Sequence, residues 1–317
     1  MENHAARNQR WSDKFRYWTD REDLLSFLFL FPAVVYIVAL VGIPFIIALA
    51  FSVTDVTAGN TSLNFTGLDN FRAILKTPQF SQSLRNTITF TIISQIIIMI
   101  VANILALVLS MDFRGKWFAR FLIMLPWATP IALGTTGWLW LLDSKFSPID
   151  WTLRYLHLLG EPGALLGAQK NLFYLGRLEL AKASIIVVYV WRMLPLSAVI
   201  LMAGLTSIPQ DILDQADVDG AGFWRMLFQI KLPLILPIMS IALLFGIIFT
   251  IGDMAVVYVL TRGGPVYYTQ ILPTWAYYKG IESGALGEGA ATALFLFPVL
   301  LAVAIFVLRF SRRTEVT

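Results

Sequence analysis

Apolar residues along this chain come in long unbroken runs, each ended by charge or by turn residues, rather than in the alternating or short amphipathic patterns of a soluble core. A helix rising about 1.5 Å per residue needs roughly twenty residues to cross about 30 Å of hydrocarbon. Windows of that length lie at residues 25–53, 86–110, 117–142, 183–205, 234–260 and 288–308. They predict an all-α integral membrane protein with six transmembrane helices. The first window is too long for a removable signal peptide and lacks a small-residue cleavage site, and Pro32 and Pro44 are expected to kink it. Residues 1–24 and 310–317 are then tails, and the six-helix domain occupies 25–309.

Composition identifies the solvent. Of 317 residues, 57% are apolar and 14% charged, where soluble domains run about 45–50% and about 25%. The absence of cysteine excludes a disulfide framework, thiolate metal sites and a cysteine nucleophile. His4 and His157 fall in a tail and a loop, so no HExxH-type metal cluster can be assembled. In a membrane chain a net charge of +4 points to Lys and Arg gathered on the cytoplasmic side rather than to nucleic acid. The N-terminal tail holds Arg7, Arg10, Lys14, Arg16 and Arg21, and the segments on the same side add Arg114, Lys116, Arg120, Arg225, Lys231, Arg309, Arg312 and Arg313. The opposite loops hold fewer cations over longer stretches, which puts both termini in the cytoplasm. Trp11, Phe15, Tyr17 and Trp18 in the basic tail suit interfacial anchoring.

The link 206–233 carries more order than a polar connection needs. Pro209 suits the first turn of a helix, Ile212, Leu213 and Ala216 give one apolar face, and Gly220 supplies the positive φ of a C-terminal cap. Phe223, Met226, Leu227 and Ile230 follow at i, i+3, i+4 and i+7, and Pro233 is expected to close this second segment before the fifth span. Asp211, Asp214, Asp217 and Asp219 would be repelled by anionic headgroups, so something other than lipid should cover the first segment.

Asp214-Gln215-Ala216, Asp219-Gly220-Ala221 and Ile230-Lys231-Leu232-Pro233 resemble the EAA motif of the inner-membrane permease subunits of binding-protein-dependent ABC importers. Asp214 stands where that family usually has Glu, and Gln215 where it has Ala. Phe65-Thr66-Gly67-Leu68-Asp69-Asn70-Phe71, Asn86-Thr87, Ala203-Gly204-Leu205 before Ile208-Pro209, and Thr261-Arg262-Gly263-Gly264-Pro265 are similar to the carbohydrate-uptake branch, so the resemblance covers roughly residues 25–310. It implies the type I ABC importer permease fold in a bacterial or archaeal inner membrane, with the EAA segment as a coupling helix docked in a groove of a separate ATPase and Asp214 facing a basic residue there. It implies as partners a second homologous permease, two ATPase subunits, a periplasmic or lipoprotein sugar-binding protein and the sugar itself. This chain then performs no covalent chemistry and binds no cofactor, ATP and Mg residing on the ATPase. The sequence agrees that the motor lies elsewhere: it contains no GxxxxGK[ST] phosphate loop, and Gly115-Lys116 lacks the preceding glycine.

A charge at membrane depth costs about 2.5–3.5 kcal/mol even on the lenient insertion scale, so it requires a partner or a cavity. Arg192 and Asp253 lie at similar depth in the fourth and fifth windows. Tyr189, Arg192, Met193 and Leu196 share one helical face, and Gly246, Phe249, Thr250 and Asp253 share another. Ring, hydroxyl and carboxylate together suit a sugar, and in maltose-type permeases sugar contacts come from these two spans. The alternative is that Gly246 and Thr250 are packing positions and Arg192 and Asp253 a structural pair. Gln95 and Asn103 read as interhelical hydrogen-bonding groups. The loop from Asp143 to Lys182, with Trp151, Leu153 and Leu156, offers a surface to an external receptor, and Gly284–Gly289 reads as a loop feeding the sixth span. The expected function is the permease subunit of an ATP-driven sugar importer. Glycerol phosphate or another small polar solute is the nearest alternative. An ion-coupled transporter using Arg192 and Asp253 as a relay, and a lipid-acting enzyme, leave the EAA link without a role.

Overall fold

The structure is a computed structural model that describes residues 22–60 and 62–314. The basic and aromatic tail residues from Arg7 to Arg21, and the side chains of Arg312 and Arg313, lie outside the described part. Among the described residues the chain is helical, apart from two isolated bridges, Thr54 to Phe65 and Thr57 to Asn60. Among these residues four helices are long and apolar enough to cross a membrane singly, and up to six spans result if each of two bent pairs counts as one.

The first span is α1, Leu25–Ser52. It passes through a π-helical turn at Val38–Gly42 just ahead of Pro44, whose missing N–H and bulky ring disfavour a regular α-turn there. Short α2, Asp69–Leu75, leads to α3, Pro78–Ser110, which begins eight residues before the expected window. The third window is not one helix. It is α4, Lys116–Ala128, and α5, Ile131–Leu141, bent by 96°. Pro130 explains the break: Thr129, the residue before it, is extended with ψ 131° and cannot continue the helix. After α6, Pro148–Tyr155, the fourth span is α7, Leu178–Thr206. The link contains α8, Gln210–Val218, and α9, Phe223–Leu234, which runs straight past Pro233 and meets α10, Leu236–Ile251, at 69°. The fifth window also ends early, because α10 stops at Ile251 and helix resumes as α11, Ala255–Leu260. Then come α12, Leu272–Tyr277, and the last span α13, Leu286–Ser311.

The centre of the bundle is α3 against α7, with α10 packed on both and α13 on α10. At the end nearer the link the contact is made by small side chains, Ala102, Ala106, Ala198 and Ala242, around Leu201 and Ile235, which lets the backbones approach closely. Gly204 belongs here: a Cβ on it would lie 3.1 Å from the Ile238 side chain. At the other end Phe90, Tyr189, Val188, Val256, Val257 and Ile271 fill the core. By contrast, none of the most apolar window of α1 is buried within the chain. It is held mainly at its end, where Phe45 meets Phe297 with ring centres 5.1 Å apart and the Asn70 amide donates to the carbonyls of Ser52 and Thr54 at 3.0 and 2.8 Å. Gly284–Gly289 is only half a loop: its last residues form the first turn of α13, where Gly289 packs directly on Gly280.

Two segments far apart in sequence are locked together at the end opposite α8. The Asn86 amide on α3 donates to the carbonyls of Tyr268 and Gln270, both at 2.8 Å, and Thr87 accepts from the Leu272 N–H at 2.9 Å. The Asn86-Thr87 pair therefore fixes the loop that follows Gly263-Gly264-Pro265. In the 143–182 loop, buried Asp150 accepts from the Leu172 N–H and the Tyr174 hydroxyl at 3.2 and 2.9 Å. Burial, then the bond to Asp150, pushes the Tyr174 phenol above its ordinary range. Trp151 of α6 stays exposed, stacked on Tyr155.

Replacing Asn86 by Ala leaves two carbonyls without their donor, at roughly 1–3 kcal/mol each where they are buried. The expected result is a lower unfolding temperature in detergent and faster trypsin cleavage after Arg262, with Asn86→Asp worse because a carboxylate would face both carbonyls.

Candidate functional site

The intramembrane residues converge on the break between α10 and α11. Arg192 of α7 donates to the Asp253 carboxylate, and the side chains are 23% and 7% exposed. Asp253 is not on the α10 helix, so the four-residue face expected for that span loses its last member. Gly252 caps α10, and the other Asp253 carboxylate oxygen accepts the Ala255 N–H at 2.7 Å, starting α11. Buried Tyr189 donates its hydroxyl to the Asp253 main-chain carbonyl at 2.9 Å. One residue thus ties the end of α10, the start of α11 and the middle of α7.

The other expected pathway residues divide between the core and an open face. A Cβ at Gly246 would overlap the Gln95 amide, and Gln95 donates to the buried Thr250 hydroxyl at 3.1 Å. Gly246 and Thr250 therefore seat α10 on α3. Met193 is buried and Leu196 half-buried. Asn103 bonds the Met99 carbonyl of its own helix at 2.7 Å rather than a neighbouring span. Phe249 is 41% exposed and stands edge to face with Trp127 of α4 at 5.6 Å. Trp191, beside Arg192, packs on Gly134 and meets Trp138 at 5.8 Å. Arg192 is thus partly exposed at the break, while Phe249 of α10 stands against Trp127 of α4 and Trp191 of α7 stands against α5. The two tryptophans are absent from the sequence-derived set, and the only signal for them was Trp content in the third and fourth windows.

In the link, α8 begins after Pro209, which precedes the helix rather than occupying its first turn. It ends at a double cap: the Gly220 N–H reaches the Asp217 carbonyl at 3.0 Å, and the Ala221 N–H reaches the Ala216 carbonyl at 2.9 Å. Gly220 sits at φ +74°, the left-handed region this motif requires. Ala216 is buried, while Gln215 and Asp219 are exposed. Asp214 is exposed and accepts from Gln210 at 2.8 Å. The second segment differs from the expected stripe. Met226 and Leu227 are buried and Ile230 and Leu232 half-buried, but Phe223, Trp224 and Phe228 form an exposed aromatic row, and Pro233 is exposed within the helix. A π-helical stretch at Met226–Lys231 accommodates Pro233. The exposed residues of α8 and its C-terminal cap thus include four acids, and those of α9 include three rings.

Removing one member of the Arg192–Asp253 pair strands a charge at membrane depth. Arg192→Met and Asp253→Asn are each expected to lose about 3–5 kcal/mol of stability, and the double replacement less than their sum. Thermal unfolding of the four proteins in one detergent measures the coupling.

Comparison with known proteins agrees with this architecture. The diacetylchitobiose uptake system permease protein DasB of Streptomyces coelicolor is 28% identical over 92% of this chain and 88% of its own length. The trehalose/maltose transport system permease protein MalF of Thermococcus litoralis is 28% identical over 95% of this chain and 97% of its own. Among solved structures, a bacterial ABC transporter that imports the acidic polysaccharide alginate has a chain matching at TM-score 0.78 and 20% identity, covering 94% of this chain and 99% of that one, so the fold is that of an ABC importer permease. The model for binding-protein-dependent transport system inner membrane components matches residues 98–316, and the chain belongs to that family of multi-pass membrane proteins.

Proposed function

We propose that this chain is a permease subunit of an ATP-driven importer that moves a carbohydrate delivered by an external binding protein. The observation that carries the reading is the capped acidic helix α8, continuous with α7 on one side and, through α9, with α10 on the other. Exposed carboxylates on α8, followed in the chain by exposed rings on α9, suit a protein groove with basic residues, and the Arg192–Asp253 pair joins α7 to the break that ends α10. A displacement of α8 is thereby delivered to the helices that carry the candidate pathway residues.

In this reading both termini are cytoplasmic, a second homologous permease completes the pathway, and two ATPase subunits hold ATP and Mg. Closure of the ATPase dimer pulls α8 and opens the pathway outward, and hydrolysis reverses it. The carbohydrate assignment draws on relatives that carry diacetylchitobiose, trehalose and maltose. It also draws on the partly exposed rings Phe249 and Trp127, since aromatic rings stack on the C–H face of a pyranose. Arg192 is already neutralised by Asp253, which favours a neutral solute over glycerol phosphate.

Replacing both Asp214 and Gly220, the latter by Val to forbid its positive φ, should abolish co-purification of the ATPase and sugar uptake while leaving the permease in the membrane. Undiminished uptake by the double variant, or uptake driven by an ion gradient in ATP-free vesicles, overturns the coupling assignment.

A further inference from the structure

At the end of the bundle opposite α8, the chain leaving α11 turns through Arg262–Gln270 and packs against α12 and the π-helical turn Tyr278–Glu282 that follows it. Between them lies a cavity of about 520 Å³ lined by Arg262, Tyr267, Trp275, Tyr278, Lys279 and Glu282. That size falls within the range of small-molecule sites, about 300–1,000 Å³. None of these residues belongs to the pathway at the α10–α11 break.

The lining combines rings with balanced charge. Tyr267 is half-exposed and edge to face with Trp275 at 6.3 Å. Lys279 lies over the Trp275 ring at 5.7 Å and pairs with Glu288 at 2.9 Å. The Arg262 guanidinium sits over Tyr258 at 5.7 Å, and the Tyr258 hydroxyl reaches toward exposed Glu282 at 3.5 Å. The cations are thus offset by Glu282 and Glu288, so the cavity offers hydrogen-bond donors and acceptors without the uncompensated positive charge a phosphate would need. Trp275 lines the cavity, and among the described residues its buried indole N–H has no acceptor, a deficit of about 1–3 kcal/mol.

The backbone is built to hold this arrangement. Arg262, Val266 and Tyr267 adopt φ of +48°, +49° and +60°, a conformation that costs non-glycine residues about 1–3 kcal/mol each and concentrates at ligand sites. The loop is held in place by the contact of the Thr261 and Thr269 hydroxyls at 2.8 Å, by the Thr269 hydroxyl on the Gly264 carbonyl at 2.6 Å, and by Asn86 from α3. Two loop residues in that conformation, Arg262 and Tyr267, line the cavity.

We propose that this cavity is an external carbohydrate subsite that receives one neutral pyranose ring, with Tyr267 as its stacking platform, before the sugar enters the bundle. The assignment rests on the carbohydrate reading above. It is tested on the assembled importer in lipid nanodiscs, without binding protein, using maltose, trehalose and diacetylchitobiose as probes. Saturation transfer from protein aromatic protons to the sugar is read by NMR against empty nanodiscs, and uptake of the same sugars is measured in vesicles with binding protein present. Transfer to the C–H protons of one ring is expected, with Tyr267→Ala weakening apparent affinity about tenfold and Trp275→Phe, which keeps a ring but removes the N–H, weakening it less. Transfer unchanged in both variants, or absent for a sugar that the importer does take up, overturns the subsite and leaves the transport reading intact. Uptake of glycerol phosphate with none of the three sugars taken up overturns the carbohydrate reading itself.

Discussion

A charged pair in the apolar part of the bundle sets the course of the helices around it. Arg192 and Asp253 would each cost several kcal/mol alone at that depth, and they pair where the fifth span is interrupted. The chain meets this by stopping α10 at Ile251 and turning at Gly252. Asp253 is then free to pair with Arg192 through one carboxylate oxygen and to accept the Ala255 N–H with the other. Its own carbonyl, released from helical bonding, is taken by Tyr189. Immediately after it, Val256 and Val257 of α11 pack into the core that includes Val188, Ile185 and Phe90.

The short motifs that resemble the importer family are joints between distant segments. Asn70 closes the end of α1, Gly204 admits Ile238 of α10, and Asn86 holds the carbonyls of a loop more than 180 residues away. Each is a small or amide residue where a carbonyl or a neighbouring helix comes too close for anything larger, or where a backbone acceptor needs a donor away from water. As letters they marked a family. As contacts they could not be read, because one sequence does not say which far segment a side chain reaches.

Apolar windows located the membrane helices, and capping chemistry located α8 and its glycine, because both depend on near neighbours in sequence. Bends were the weak point. Hydropathy averaged over a window is unchanged by a 96° turn at Pro130, and the missing N–H of Pro233 is absorbed by a π-turn while the 69° bend falls at Ile235. Helical periodicity grouped Gly246 with Thr250 correctly, yet periodicity says which residues share a face and not what that face meets. It meets Gln95. The Arg192–Asp253 contact was accessible as a matter of depth and cost, and the aromatic neighbours Trp127 and Trp191 were not, since tryptophan in an apolar window carries no directional signal.

Under the coupling proposed above, how a push on α8 is transmitted depends on which parts of the bundle can yield. The path α7, α8, α9, α10 is a closed circuit, joined by peptide bonds at the link and by Arg192 and Asp253 at the far side. The bend at Ile235 is the obvious hinge, but Ile235 is itself 1% exposed and packed among Ala198, Leu201 and Ala242, so flexing there would open a close-packed core. The small-residue contact between α3, α7 and α10 resists relative sliding for the same reason. What is left free is the periphery: α1, attached chiefly at one end, and α4 and α5, broken at Thr129 and Pro130. Under that coupling the central helices move as one body with α8, and the bent α4–α5 pair, whose Trp127 meets Phe249, is the element against which they shift.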